Sequence, residues 1–182
     1  ADNFGERDPW IEIHNRGTNT LDLSGYYLAD NFTNLLMWKF PGGTTIAPGG
    51  FQLVWADAQP LQTSGTNLHA SFRLAAASGQ VALTRLHGGA PQLTDYVKYG
   101  SIGPDLSYGD FPDGQPFTRR ILQRVTPGTT NAASVISLFI NEWMASNTNT
   151  LADPSEFPNL AYDDWFEIFN PGPEAVDLGG YW

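Results

Sequence analysis

Apolar and polar residues alternate with a period of two along much of this chain. In Trp10-Ile-Glu-Ile-His14, Ile11 and Ile13 fall on one side of an extended segment and Trp10, Glu12 and His14 on the other, the pattern of a half-buried strand. Asn15-Arg-Gly17 follows, residue types that tolerate positive φ and so turn the chain. Leu21 and Leu23 then mark a second strand, and Gly25 permits a bend or bulge before Tyr26-Tyr27. Further strands are expected near 36–40, 45–46, 51–55, 71–74, 81–86, 95–99, 107–108 and 117–118. Pro41-Gly-Gly43, Pro48-Gly-Gly50, Ser78-Gly79, His87-Gly-Gly89, Gly103-Pro104 and Pro112-Asp-Gly114 separate them. Helical periodicity of any length is missing, and short strands at this spacing predict an all-β sandwich or barrel.

The chain also repeats itself. Asp8 to Tyr27 aligns without a gap on Asp163 to Trp182, an offset of 155 residues, and ten of the twenty pairs are identical. Trp10, Glu12, Asn15, Asp22, Gly25 and Tyr26 recur as Trp165, Glu167, Asn170, Asp177, Gly180 and Tyr181. Repetition of this kind marks residues that define a structural unit. Asp22 and Asp177 are expected to bond backbone N–H groups at a turn, Glu12 and Glu167 to lie on a polar strand face, and Trp10, Trp165, Tyr26 and Tyr181 to serve core or interface. The predicted organisation is one sandwich over 1–133 and the N-terminal part of a second module over 134–182, with a polar, turn-rich junction between them.

These residues resemble a known family. Leu138-Phe-Ile-Asn-Glu-Trp-Met-Ala-Ser146, an acidic loop, Asp164-Trp-Phe-Glu-Ile-Phe-Asn170 and Val176-Asp-Leu-Gly-Gly-Tyr181 resemble the opening of bacterial lamin tail domains. Trp10-Ile-Glu-Ile-His-Asn15, Leu21-Asp-Leu-Ser-Gly-Tyr26, Trp38-Lys-Phe-Pro41, Ile46-Ala-Pro-Gly-Gly50, Ser107-Tyr-Gly109 and the closing Thr126-Pro-Gly128 to Asn131 resemble the rest. The resemblance implies an immunoglobulin-like β-sandwich of the kind found in lamin tails and in large exported bacterial proteins, and it brings no catalytic residues. It also implies that the first module lacks its opening strand, because the counterpart of Ile140-Asn-Glu142 is missing before the loop at Ala1. An open sheet edge is a liability in water. The gap is therefore expected to be filled by 138–145 folding back, by a strand from another chain, or by preceding sequence.

Charge narrows the partners. Nine basic against nineteen acidic residues give a formal charge of −10, a field that repels nucleic acid and anionic lipid. No apolar run approaches the length of a spanning helix, so membrane insertion is not expected. With no cysteine, disulfides, thiol catalysis and cysteine metal sites are excluded.

Candidate chemistry is sparse. His14, His69 and His87 lie far apart without zinc-ligand spacing and read as surface residues. No G-x-S-x-G elbow, P-loop or dinucleotide fingerprint is present, so an enzyme is not expected. Asp2, Glu6 and Asp8, and separately Asp153, Glu156, Asp163 and Asp164, supply oxygen ligands suited to calcium, but neither loop has the EF-hand spacing. No other cofactor is indicated. Trp38, Trp55 and Trp143 are candidate platforms for stacking on sugar rings, against the alternative that large aromatics fill sandwich cores. The expected function is a structural or adhesive module of a secreted or cell-surface protein, self-associating or meeting neighbouring repeats. The alternative is a carbohydrate-binding module attached to an enzyme.

Overall fold

The computed structural model describes residues 1–132, 138–156, 158, 161–172, 175–176 and 178. Two compact units divide the chain, Ala1–Ala133 and Ser134–Trp182. The first carries eleven strands: β1 (Trp10–His14), β2 (Leu21–Asp22), β3 (Tyr26–Ala29), β4 (Trp38–Lys39), β5 (Thr45–Ile46), β6 (Phe51–Trp55), β7 (Leu68–His69), β8 (Gly79–His87), β9 (Ala90–Tyr99), β10 (Ser107–Asp110) and β11 (Arg119–Leu122). The second carries β12 (Phe139–Met144) and β13 (Trp165–Phe169). Helical turns are confined to single 3-10 turns at Pro60–Gln62 and Pro154–Glu156 among the described residues, and no helix is long and apolar enough to cross a membrane.

In the first unit, one sheet runs in the order β1-β6-β7 and the other in the order β4-β3-β8-β9. Ribbons β2·β5 and β10·β11 complete the unit. The alternation in β1 explains the layering, since Ile13 is buried and Ile11 packs beside it while Glu12 faces away from the core. Leu28 and Trp38 come from the second sheet, Val54 and Leu68 from the first. With Leu23, Phe40, Ile46, Ala56, Ala70 and Phe72 they form one core between the sheets, the sandwich arrangement of two inner faces. The fold is an all-β immunoglobulin-like sandwich.

The β8–β9 hairpin turns at Gly88 and Gly89, both at positive φ (59° and 82°), with His87 opposite Ala90. This is the two-residue mirror-image turn whose twist matches the strands it joins, and it demands residues without a Cβ penalty. Gly79 at the other end faces Tyr99, and a Cβ there would lie under 3.0 Å from the phenol ring.

Several boundaries differ from the sequence pattern. The expected strand at 71–74 is not one. Phe72 and Leu74 dock through separate backbone bonds, Ala58 N–H to Phe72 C=O at 3.0 Å and Leu74 N–H to Ala56 C=O at 3.1 Å. The strand in this stretch is β7, parallel to β6. The expected strand at 117–118 is displaced to β11, and Phe117 is fully exposed. β9 begins at Ala90, five residues before the expected 95.

In the second unit β12 and β13 pair antiparallel, Met144 opposite Trp165, Trp143 opposite Phe166, Glu142 opposite Glu167, Ile140 opposite Ile168 and Phe139 opposite Phe169. A bulge at Asn141 interrupts the register.

Candidate functional site

The repeated residues build the same corner in both units. At the end of β1, the Asn15 carboxamide oxygen accepts the Gly17 N–H at 2.9 Å, and at the end of β13 Asn170 accepts the Gly172 N–H at 2.9 Å. This Asx turn is why Asn recurs two residues before Gly. A Cβ on Gly17 would sit 3.0 Å from the Asn15 oxygen, and one on Gly172 would sit 3.2 Å from that of Asn170. Asn15 does more than turn the chain. Only 6% exposed, it donates to the carbonyls of Asn19 and Ile46 at 2.9 Å and of Ala47 at 3.2 Å, joining β1 to the end of β5.

The other repeated positions serve the unit in different ways. Glu12 accepts the Gly128 N–H, pinning the closing segment, while Glu167 accepts from the Asn141 side chain. Burial raises the Glu12 carboxyl above its ordinary value, the Gly128 bond opposes this, and Asp113 raises it further. Asp22 accepts the Ser24 hydroxyl at 2.5 Å and the Ser24 N–H at 2.8 Å, which together hold its carboxyl below the usual value. Asp153 makes the same pair of bonds to Ser155, with the same consequence. Trp10 and Tyr26 are half-buried, in register with Trp55 and Arg85. Gly25 has nothing within 4 Å of where its Cβ would stand and no positive φ, so the backbone there does not require glycine. Trp165 is half-buried. Asp177, Gly180 and Tyr181 lie outside the described residues.

The N-terminal acidic loop is brought against the β6–β7 connection. Asp2 Oδ1 accepts the N–H groups of Phe4 and Glu6 at 2.9 and 2.7 Å. Its Oδ2 is shielded from solvent and has no hydrogen-bond partner. Asp2, Glu6 and Asp8 present oxygens within 4.8 Å of one another, and Asp2, Asp57 and His69 present ligand atoms just as close. Asp8 is also paired with Arg73 at 2.7 Å. Such an oxygen-rich set is of the type that can hold calcium, with Asp57 as a member the sequence did not single out. The other acidic loop is organised differently. Buried Asn147 donates to the carbonyls of Leu151 and Asp163, and its own N–H meets Asp164 Oδ1 at 3.3 Å. Asp153, Asp163 and Asp164 join no cluster of three metal-ligating groups among the described residues, and the Glu156 side chain is outside the description.

His69 corrects the expectation of three surface histidines. Its side chain is fully buried, with Nδ1–H donating to Asp57 Oδ2 at 2.6 Å and Nε2 2.8 Å from Asn3 Oδ1. The pair has the form of a base and its orienting carboxylate, but what meets Nε2 is an amide and not a hydroxyl. It ties residue 3 to the sandwich. His14 is half-buried and stacks on Phe51 with ring centroids 4.6 Å apart, and His87 is exposed in the hairpin.

Two aromatic platforms are also corrected. Trp38 and Trp55 are each 8% exposed, and Trp38 packs edge-on against Phe40 at 4.8 Å in the core, so neither offers a face to a sugar. Trp143 is 70% exposed, opposite Phe166 at 69%.

No curated protein and no solved structure matches the chain. The family model described as the Lamin Tail Domain matches residues 1–101, more than half of the chain. The two-sheet sandwich, the Asn-x-Gly corner and this match agree, and the chain belongs to the lamin tail domain family.

Proposed function

We propose that this chain is a non-catalytic structural or adhesive repeat module of a larger bacterial protein, secreted or displayed at the cell surface, acting through contacts between modules or between chains. The observation that carries the proposal is the corner built twice, Asn15 on Gly17 and Asn170 on Gly172, at the same bond length. A chain that repeats its packing and turn residues repeats a scaffold. Continuing the second copy tests this. Residues 28–132 are appended after Trp182, where the 155-residue offset resumes the pattern. The fused chain is expected to show a second cooperative unfolding transition, and an appended segment that stays unfolded overturns the proposal. Surface protease accessibility on intact cells tests the location.

A second function has its own support. The cross-strand pair Trp143 and Phe166, both more than two-thirds exposed, presents aromatic faces of the kind that stack on sugar rings. Glycan-array binding abolished by Trp143→Ala would favour a carbohydrate-binding module, and an array without signal removes it.

A further inference from the structure

The buried His69 has chemistry that holding residue 3 in place does not use. Its Nδ1 lies 2.6 Å from Asp57 Oδ2, and Asp57 Oδ1 is taken by the Gln59 N–H at 2.9 Å. A carboxylate only accepts, so Nδ1 carries the proton and the neutral ring has its lone pair at Nε2. That nitrogen is 2.8 Å from Asn3 Oδ1, while Asn3 Nδ2 turns to the Gln62 carbonyl at 3.5 Å. Two acceptors therefore face each other at hydrogen-bond distance.

The atoms around this contact call for positive charge. Asp2 Oδ2 is shielded from solvent and unpartnered, and so are Gln59 Oε1 and Gln62 Oε1. Gln62 reaches the same loop, its Nε2 donating to Glu6 at 3.4 Å. All three unpartnered atoms are acceptors. Asp2, Asp57 and His69 present ligand atoms within 4.8 Å of one another, and the Asp57 and His69 side chains have no exposed surface. Among the described residues no Lys or Arg is paired with Asp2 or Asp57. A proton on Nε2 would offset one of the two carboxylate charges, whereas a divalent cation offsets both.

The donor set also selects the ion. A histidine that binds a metal through one nitrogen gives its other N–H to a carboxylate, which fixes the tautomer and the ring, and His69 already does so. Ligands at right angles, each about 2.1 Å from an ion, stand about 3.0 Å apart, close to the 2.8 Å between Nε2 and Asn3 Oδ1. Calcium takes an all-oxygen shell, while an imidazole beside oxygen donors suits zinc or manganese.

We propose that Asp2 Oδ2, Asn3 Oδ1 and His69 Nε2 hold a divalent cation of the zinc or manganese class, with Asp57 orienting the imidazole. The ion clasps the loop of residues 2–8 to β7 in a chain without disulfides. This goes beyond the module reading, since the site lies within the first unit and needs no second copy.

Chelator-stripped full-length chain is titrated with Zn2+, Mn2+ and Ca2+ separately at neutral pH, by calorimetry and by thermal melts. One Zn2+ should bind per chain and, at a hundred times its dissociation constant, raise the first unit's midpoint by about 10 °C. Substoichiometric Mn2+ should broaden the His69 ring resonances before those of His14 and His87. Asp2→Asn and Asn3→Ala should each weaken Zn2+ binding about tenfold or more, and their melts without metal report whether they have kept the fold. His87→Gln and Asp153→Asn should bind as the parent does. The site is overturned if the chain binds none of the three ions, if it answers to Ca2+ and to neither Zn2+ nor Mn2+, or if Mn2+ broadens His14 or His87 first. Zinc lost in His87→Gln and kept in Asp2→Asn overturns it as well.

Discussion

Removing the Asn15 carboxamide tests the corner most directly. Asn15→Ala deletes the acceptor for the Gly17 N–H and the donor to three carbonyls, those of Asn19, Ile46 and Ala47. The NH2 group has two hydrogens, so the Ala47 bond is shared and three full bonds are lost. At about 1 kcal/mol net for each, the loss is roughly 3 kcal/mol, with burial removing water as a replacement partner. For a unit of this size that corresponds to a fall of about 10 °C in the first unit's midpoint. Scanning calorimetry, with tryptophan fluorescence as a second probe, measures it. Asn15→Asp sharpens the test, because it keeps the Gly17 bond yet turns an oxygen toward the carbonyls of Asn19 and Ile46. It should melt no higher than Asn15→Ala at neutral pH and recover partly in acid. Asn170→Ala removes the equivalent bond to Gly172 from an exposed residue, where about 1 kcal/mol or less is expected. An Asn15→Ala midpoint within about 2 °C of the parent would refute the assignment of Asn15 as the hydrogen-bonding centre of the corner.

Three further perturbations have defined signs. Glu12 has its carboxyl raised in the fold, chiefly by burial, so its contribution is fullest below the unfolded value and declines as pH rises through the folded one. Glu12→Gln, which can still accept the Gly128 N–H, should match the parent in acid and melt above it at neutral pH, as a pair of thermal melts would show. Arg119 joins β9 to β10 and β11, with Nη2 on both Asp95 oxygens at 2.9 and 2.7 Å, Nε on Asp110 at 2.8 Å and Nη1 on the Tyr96 carbonyl. Arg119→Met should cost about 1–2 kcal/mol at low salt, a difference that shrinks toward 1 M NaCl in denaturant titrations. Asp57→Ala strands the buried His69 Nδ1–H. A loss of about 1–3 kcal/mol is expected by urea unfolding, the cost of a buried donor left without a partner, and an unchanged midpoint contradicts it.

What was legible in the sequence depended on how local the cause was. β1 could be read from Ile11 and Ile13 because strand periodicity is set by the burial of one face. β5 and β6 emerged at 45–46 and 51–55 because Pro48-Gly-Gly50 ends one and begins the other within a few residues. At 71–74 the same reasoning failed. Phe72 is buried through its side chain, yet its backbone makes no continuous ladder, and alternation reports burial without reporting pairing. β9 was underestimated because Ala90 to Tyr96 are exposed, which leaves little apolar contrast. The His69 cluster was beyond local reach, since Asp57 is 12 residues away and Asn3 is 66. Leu68-His-Ala70 carries no signal for either. For Trp38 and Trp55 the side-chain type was informative and its facing was not, because a large aromatic suits both a core and a sugar platform.

The β8–β9 hairpin has a consequence for how such a chain can diversify. Its strands of nine and ten residues are the longest among the described residues, and from Arg85 through Tyr96 every side chain is exposed. The tip from Arg85 to Gln92 therefore overhangs the sandwich, held by its own cross-strand bonds and the Gly88-Gly89 turn, while Asp95 and Tyr96 nearer the base are tied to Arg119. Residues can be inserted or exchanged at that tip while the interior stays as it is. An epitope or fluorophore grafted between Gly88 and Gly89 would thus be carried without disturbing the core.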